Sequence, residues 1–245
     1  MGTLHRGRAA RARTPRRIVT IITGLGIGAL IATAATLGGI RVSQLTGYAV
    51  AAAPDIPTVY AWDPFTAPNN TNLNGRVAPV GGTWTVHAGT WRLNANQANM
   101  TTVTTNGRAT LNVGVTDYAV TIDSPSFPTG ARRSGVALRV NSAGTQGLYV
   151  EIRNINGGQL AIGSFTATAA TPLATVNGIG APGSFLLRVE VEGNQVRAYL
   201  NGVLVSTYTL TAAQMTTYGA NTRVGLWANG DKQTTFASFL VESLP

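Results

Sequence analysis

Two glutamates one residue apart, Glu190 and Glu192, are the nearest approach to a catalytic pair in this chain of 245 residues. In an extended segment they share a face, and carboxylates about 5 to 9.5 Å apart are the machinery of glycoside hydrolysis. Arg188 just before them and Arg197 on the following segment give these acids a simpler role as rungs of a charge-paired ladder. His87 is the other group able to move a proton near neutral pH. No Gly-x-Ser-x-Gly elbow accompanies it, so it reads as a turn histidine in a hairpin from Trp84 to Trp91. The chain has no cysteine, hence no disulfide, no thiol chemistry and no Cys-based metal site. Two histidines do not make a His-rich metal centre, and no Walker or dinucleotide-binding glycine pattern occurs before a helix. These residues argue against an enzyme and call for no cofactor.

A second set suits recognition better. Arg139, Tyr149, Glu151, Arg153, Trp227 and Asn229 alternate with apolar neighbours, which turns them outward if those neighbours face a core. An aromatic plane beside carboxylate, amide and guanidinium groups is what a glycan or cell-surface polysaccharide needs, stacking on a pyranose and hydrogen bonding to its hydroxyls. Trp227 fits a buried end-of-strand position equally well. Trp62, Trp84 and Trp91 read as core or hairpin packing.

The elements that must carry these residues are strands. Ser134 to Asn141 places Val136, Leu138 and Val140 on one face, and Gly147 to Arg153 places Leu148, Val150 and Ile152 likewise, with an Asn/Ser/Gly linker between them that predicts a hairpin. Phe185, Leu187, Val189 and Val191 form the next inward row, followed by Val196, Ala198 and Leu200. Asn201-Gly202 is a strong hairpin signal, because a type I′ turn needs positive φ at both central positions. Further strands are expected at Trp84 to Val86, Trp91 to Leu93, Ala109 to Val113, Tyr118 to Ile122, Val203 to Tyr208, Thr222 to Asn229 and Thr235 to Val241. Ten to thirteen short antiparallel strands in under 200 residues predict an all-β, two-sheet sandwich over 59–245.

Charge and hydropathy separate a leader from that domain. Seven arginines and no acid precede residue 54, whereas the remainder holds eleven basic and nine acidic residues. The net charge of +9 therefore belongs mostly to the leader, and no basic run interleaved with aromatics follows, which argues against a nucleic-acid partner. Residues 1–17 are a basic cytoplasmic segment, 18–40 a signal peptide or transmembrane helix, and 41–58 a spacer. As a helix, 18–40 would be about 34 Å long, enough to cross a bilayer. The arginines on its N-terminal side place the domain outside the membrane, so the protein is expected to be extracellular or at the cell surface. Ala49-Val50-Ala51 offers a cleavage site, and Arg16-Arg17 resembles a twin-arginine signal; cleaved export and a retained anchor contacting the membrane both remain open.

Several runs together carry a resemblance: Trp62-Asp63-Pro64-Phe65, Gly82-Thr83-Trp84-Thr85-Val86, Gly89-Thr90-Trp91, the strand from Gly135 to Val140, the run from Leu187 to Asn194 with its Asn201-Gly202 hairpin, and Val224-Gly225-Leu226-Trp227. This order resembles the concanavalin A-like jelly roll and, within it, the laminin-G-like domains of secreted bacterial proteins, over roughly residues 60 to 245. The resemblance implies a jelly-roll fold and leaves function open. Glycosidases of that superfamily carry Glu-x-Asp-x-x-Glu on one strand, a run absent here. Members often close with Phe-Asp-Asn-Phe, whose aspartate helps hold calcium; here the stretch is Phe236-Ala237-Ser238-Phe239, and Asp63 alone is a thin calcium site. Asp63 is expected instead to hydrogen-bond a turn beside Pro64. The function expected is a non-catalytic carbohydrate-binding or adhesion domain, with a structural component of a surface layer, fibre or phage-related particle as the alternative.

Overall fold

A computed structural model describes residues 56–102, 104–127, 133–155, 157–180 and 183–245. The basic segment 1–17 and the hydrophobic segment 18–40 lie outside the described residues. Among those described, no helix is long and apolar enough to cross a membrane.

The strands follow in order: β1 (Val59–Asp63), β2 (Thr71–Asn72), β3 (Val77–Ala78), β4 (Gly82–Thr83), β5 (Thr85–Ala88), β6 (Thr90–Asn94), β7 (Gln97–Thr102), β8 (Gly107–Asn112), β9 (Tyr118–Ser124), β10 (Arg133–Val140), β11 (Gly147–Arg153), β12 (Gln159–Phe165), β13 (Ala170–Asn177), β14 (Phe185–Glu192), β15 (Gln195–Leu200), β16 (Val203–Thr209), β17 (Arg223–Ala228) and β18 (Ser238–Glu242), with one helix, α1 (Ala212–Tyr218), before β17. A six-stranded sheet runs β1-β18-β9-β14-β15-β16 and a seven-stranded sheet β13-β12-β11-β10-β17-β8-β5. The main core lies between them. Val120, Ile122, Leu187, Val189, Val196, Ala198 and Val241 face it from the first sheet; Val136, Leu138, Leu148, Val150, Leu160, Ile162, Val224 and Leu226 face it from the second. The chain is the two-sheet antiparallel jelly roll that the alternation predicts.

Local signals set several details. Asn201 and Gly202 both adopt positive φ (51° and 82°), as a type I′ turn between β15 and β16 requires. Thr211 accepts from Gln214 N while the Gln214 side chain returns to Thr211 N, a capping box that starts α1 and so fixes the approach to β17.

Other expectations need correction. The Trp84 to Trp91 hairpin does not form: β5 pairs with β8 in the large sheet, whereas β6 pairs with β2 and β7 in a small one. His87 is accordingly a strand residue. Trp84 and Trp91 are buried as expected, but Trp62 is 42% exposed, because it lies in an edge strand on the opposite side from buried Ala61 and Asp63.

Candidate functional site

The outer side of the seven-stranded sheet brings together most of the residues that alternation singled out. Gly135 of β10 lies opposite both Glu151 on β11 and Trp227 on β17. With no side chain between them, Trp227 Nε1 reaches across and donates to Glu151 Oε2 at 2.7 Å. Arg153 Nε donates to the other Glu151 oxygen (2.5 Å), Arg153 Nη1 to Gln159 Oε1 (3.0 Å), and Gln159 Nε2 to Asn177 Oδ1 (2.6 Å). The Tyr149 and Trp227 rings stack at 4.9 Å with planes 3° apart, and Phe165 leans on Trp227 at 5.0 Å. Gly163 is needed beneath Tyr149, since a Cβ there would fall 2.3 Å from the ring.

Tyr149, Glu151, Arg153 and Trp227 are nevertheless buried, and this corrects the expectation of an open platform. Ala137, Val140, Tyr149, Ala161, Phe165 and Trp227 make a second apolar cluster on the far side of the sheet from the main core. The β10–β11 loop folds back over this side: Arg108 Nε on β8 donates to the Gly144 carbonyl, and Gly144 abuts His87 on β5. Arg108 also sits over Phe165, 5.0 Å from its centroid. Burial pushes the Tyr149 hydroxyl up to about 12, with Glu151 adding to it and nearby Arg153 opposing it, and among the described residues no group meets that hydroxyl in hydrogen-bond geometry. Asn229, half-buried, donates its backbone N–H to Arg133 O at 2.9 Å.

Arg139 leaves the group altogether. A bulge in β10 between Ala137 and Val140, with Arg139 at φ 45°, breaks the alternation and turns Val140 to the outer side. The Arg139 guanidinium instead hydrogen-bonds Thr116 O, Asp117 Oδ1 and Gly193 O, and its backbone N–H donates to Tyr118 Oη. It ties the end of β10 to the other sheet.

At the same end of the large sheet lies a cavity of about 210 Å³ lined by Asn112, Val140, Ser142, Ala220, Asn221, Thr222 and Arg223. The residues converge because β17 starts beside the end of β8, with Arg223 opposite Asn112, and Val140 opposite Arg223. Thr222 Oγ1 donates to Asn112 Oδ1 (2.7 Å), and Arg223 Nη2 to Thr85 Oγ1 (3.2 Å). Arg223 Nη1 is buried and has no partner among the described residues. Burial, then Arg223, then Arg108 push His87 down to about 4, so it is neutral at pH 7; its Nε2 meets Thr110 Oγ1 at 2.9 Å. Sequence reasoning missed this cavity. The available signals were Arg223 opening an outward row that continues to Trp227, and the polar loop after Val140.

The outer side of the six-stranded sheet carries the ladder. Glu190 accepts from Arg188 Nε (3.2 Å), Arg197 Nε (3.1 Å) and Tyr199 Oη (3.0 Å), while Glu192 accepts from Arg197 Nη2 (2.6 Å). Burial opposes ionisation of Glu190, but hydrogen bonds from Arg197, Tyr199 and Arg188 outweigh it and hold the carboxyl below its usual range. That is the reverse of what a general acid needs. Asp63 accepts from Phe65 N (2.8 Å) and Trp84 Nε1 (2.8 Å) and pairs with Arg76, which commits its oxygens to the turn beside Pro64 and to its neighbours. No group of three or more His, Cys, Asp or Glu that could hold a metal occurs among the described residues.

No family model and no curated protein matches the chain. Solved structures do. The GH43 protein BlXynB of Bacillus licheniformis superposes with a TM-score of 0.53 at 13% identity, over 75% of this chain and 39% of that one. The carbohydrate binding module CBM66 of Bacillus subtilis gives 0.45 at 16% identity over 72% and 97%, and the galectin LEC-6 of Caenorhabditis elegans 0.39 at 14% over 54% and 88%. The chain thus spans about two-fifths of the length of BlXynB, and at such identity the likeness is one of fold alone, an antiparallel β-sandwich.

Proposed function

We propose that this is a non-catalytic carbohydrate-binding or adhesion domain of laminin-G-like kind, exported by its N-terminal segment and working at the cell surface or in the medium. The observation that carries the reading is the cavity at the end of the seven-stranded sheet, where Asn112, Ser142, Asn221, Thr222 and Arg223 offer donors and acceptors beside the apolar surfaces of Val140 and Ala220. Convergent polar groups around a small apolar wall suit a sugar ring, whose hydroxyls need partners and whose C–H faces need contact. The Tyr149–Trp227 stack supports the sheet from below instead of meeting the sugar. The saturated Glu190 ladder and neutral, partnered His87 favour binding over catalysis.

Full-length protein on a glycan array tests this. Retention of a glycan class, reduced by Asn221→Ala or Ser142→Ala with the melting temperature unchanged, supports the reading. Turnover of a glycan that vanishes in Glu190→Gln would overturn its non-catalytic part. A structural role in a surface layer, fibre or phage-related particle draws support from the exposed apolar side chains Trp62, Val77 and Val80. No retained glycan together with oligomers in dilute solution would favour that reading.

A further inference from the structure

Five of the buried or half-buried arginines are neutralised by carboxylates, whereas half-buried Arg92 donates to the Asn70 carbonyl instead. Arg76, Arg139, Arg153, Arg188 and Arg197 each pair with a carboxylate. Arg223 and Arg108 do not: among the described residues their hydrogen bonds go to Thr85 Oγ1 and to the carbonyls of Gly144 and Asn106. A buried guanidinium N–H left without a partner is costly, and Arg223 Nη1 is one. His87 between the two arginines is neutral and relieves nothing. The cavity lined by Arg223 is smaller than the roughly 300 Å³ at which sites for drug-sized ligands begin, so it admits one substituent or one ring and not a chain.

We propose that the Arg223 cavity is an anion seat that takes the oxyanion, carboxylate or sulfate, of an acidic sugar. Arg223 supplies the charge-assisted hydrogen bonds, Ser142, Asn221 and Thr222 meet neighbouring hydroxyls, and Val140 and Ala220 line the ring's C–H face. The inference rests on the carbohydrate reading for the sugar, and on the unpaired arginines for the charge.

The test follows the arginine side-chain Nε–Hε and the backbone amide resonances of isotope-labelled full-length protein by NMR. Sodium glucuronate, galactose 6-sulfate, the methyl ester of glucuronate, glucose and sodium sulfate are titrated separately. The expected result is a saturable shift at Arg223 with glucuronate or the sulfated sugar, and affinity at least about tenfold weaker for the ester or glucose. A response to glucuronate alone assigns a carboxylate, one to the sulfated sugar alone a sulfate. Arg223→Gln should abolish the response at Ser142 and Asn221; if that variant does not fold, the wild-type titration still decides. Silence of Arg223 toward both sugar acids and sodium sulfate through the tens-of-millimolar range overturns the anion seat, and neutral glycans retained on the array would then leave the carbohydrate reading standing. A shift with sodium sulfate but with neither sugar acid overturns the glycan assignment.

Discussion

The two outer sides of the sandwich start from the same pattern and end differently. Both present Arg, Glu and Tyr at alternate positions: Arg188, Glu190 and Tyr199 on the six-stranded sheet, Tyr149, Glu151 and Arg153 on the seven-stranded one. On the first, the ion pairs stay partly exposed, with Arg197 25% and Glu192 57% accessible. On the second, stacked aromatics, a carboxylate and a guanidinium are closed into a second core, with the β10–β11 loop folded back over part of that side. Alternation states which residues share a face, not whether a further layer covers it.

The largest break in that contrast comes from the buried side. Trp227→Ala should cost about 3 to 5 kcal/mol, since it empties the stack between Tyr149 and Phe165 and strips Glu151 of a donor. Glu151→Ala should cost a similar amount, about 3 to 5 kcal/mol, by leaving Arg153 without its carboxylate. Urea unfolding of both variants measures this, and losses below about 1 kcal/mol would mean that the layer is loose.

The pH response is the next effect. His87 titrates near 6.5 when unfolded and about 4 when folded, so the unfolded chain takes up its proton first. Its contribution is complete above pH 6.5 and declines as pH falls toward 4. Thermal midpoints across that window should fall and should flatten in His87→Gln; an equal slope in the variant would place the titration elsewhere. Glu190, whose folded carboxyl lies below its usual range, adds its own loss as pH falls from the ordinary carboxyl value of 4.5 through the folded one, so the two losses overlap at the acid end of the window.

Smaller effects sharpen the comparison. Tyr149→Phe removes a buried hydroxyl that no described group meets in hydrogen-bond geometry and should be neutral or stabilising by up to about 1 kcal/mol, despite lying in the core. Arg197→Ala should cost no more than about 1 kcal/mol, because its partners are partly hydrated. A greater loss from Arg197→Ala than from Trp227→Ala would invert the account of the two sides.

Much of the scaffold was legible. The inward rows of β11, β14 and β15, that of β10 as far as Leu138, and the Asn201-Gly202 turn follow from period two and from positive φ. β12 escaped notice because Gln159–Phe165, with Ala161 and Gly163 facing the second cluster, is buried on both sides and shows no clean alternation. β13 lacks a sharp pattern because it is an edge strand with Pro172 inside. The site was less legible for a different reason. Arg139 escapes its face through a bulge that no local residue announces, and the cavity gathers Asn112, Ser142 and Arg223 from three separate stretches of chain. Such convergence is a property of register, which single-strand periodicity does not encode.

One paired measurement bears most directly on whether the aromatic stack holds the fold while the cavity holds the ligand. Stability in urea and retention on the glycan array are determined for Trp227→Ala and Asn221→Ala in the full-length protein. The account predicts a loss of about 3 to 5 kcal/mol for Trp227→Ala, and for Asn221→Ala a stability within about 0.5 kcal/mol of the parent with retention sharply reduced. A Trp227→Ala protein as stable as the parent that no longer binds glycan, beside an Asn221→Ala protein that binds normally, would contradict it and restore the tryptophan as the sugar platform.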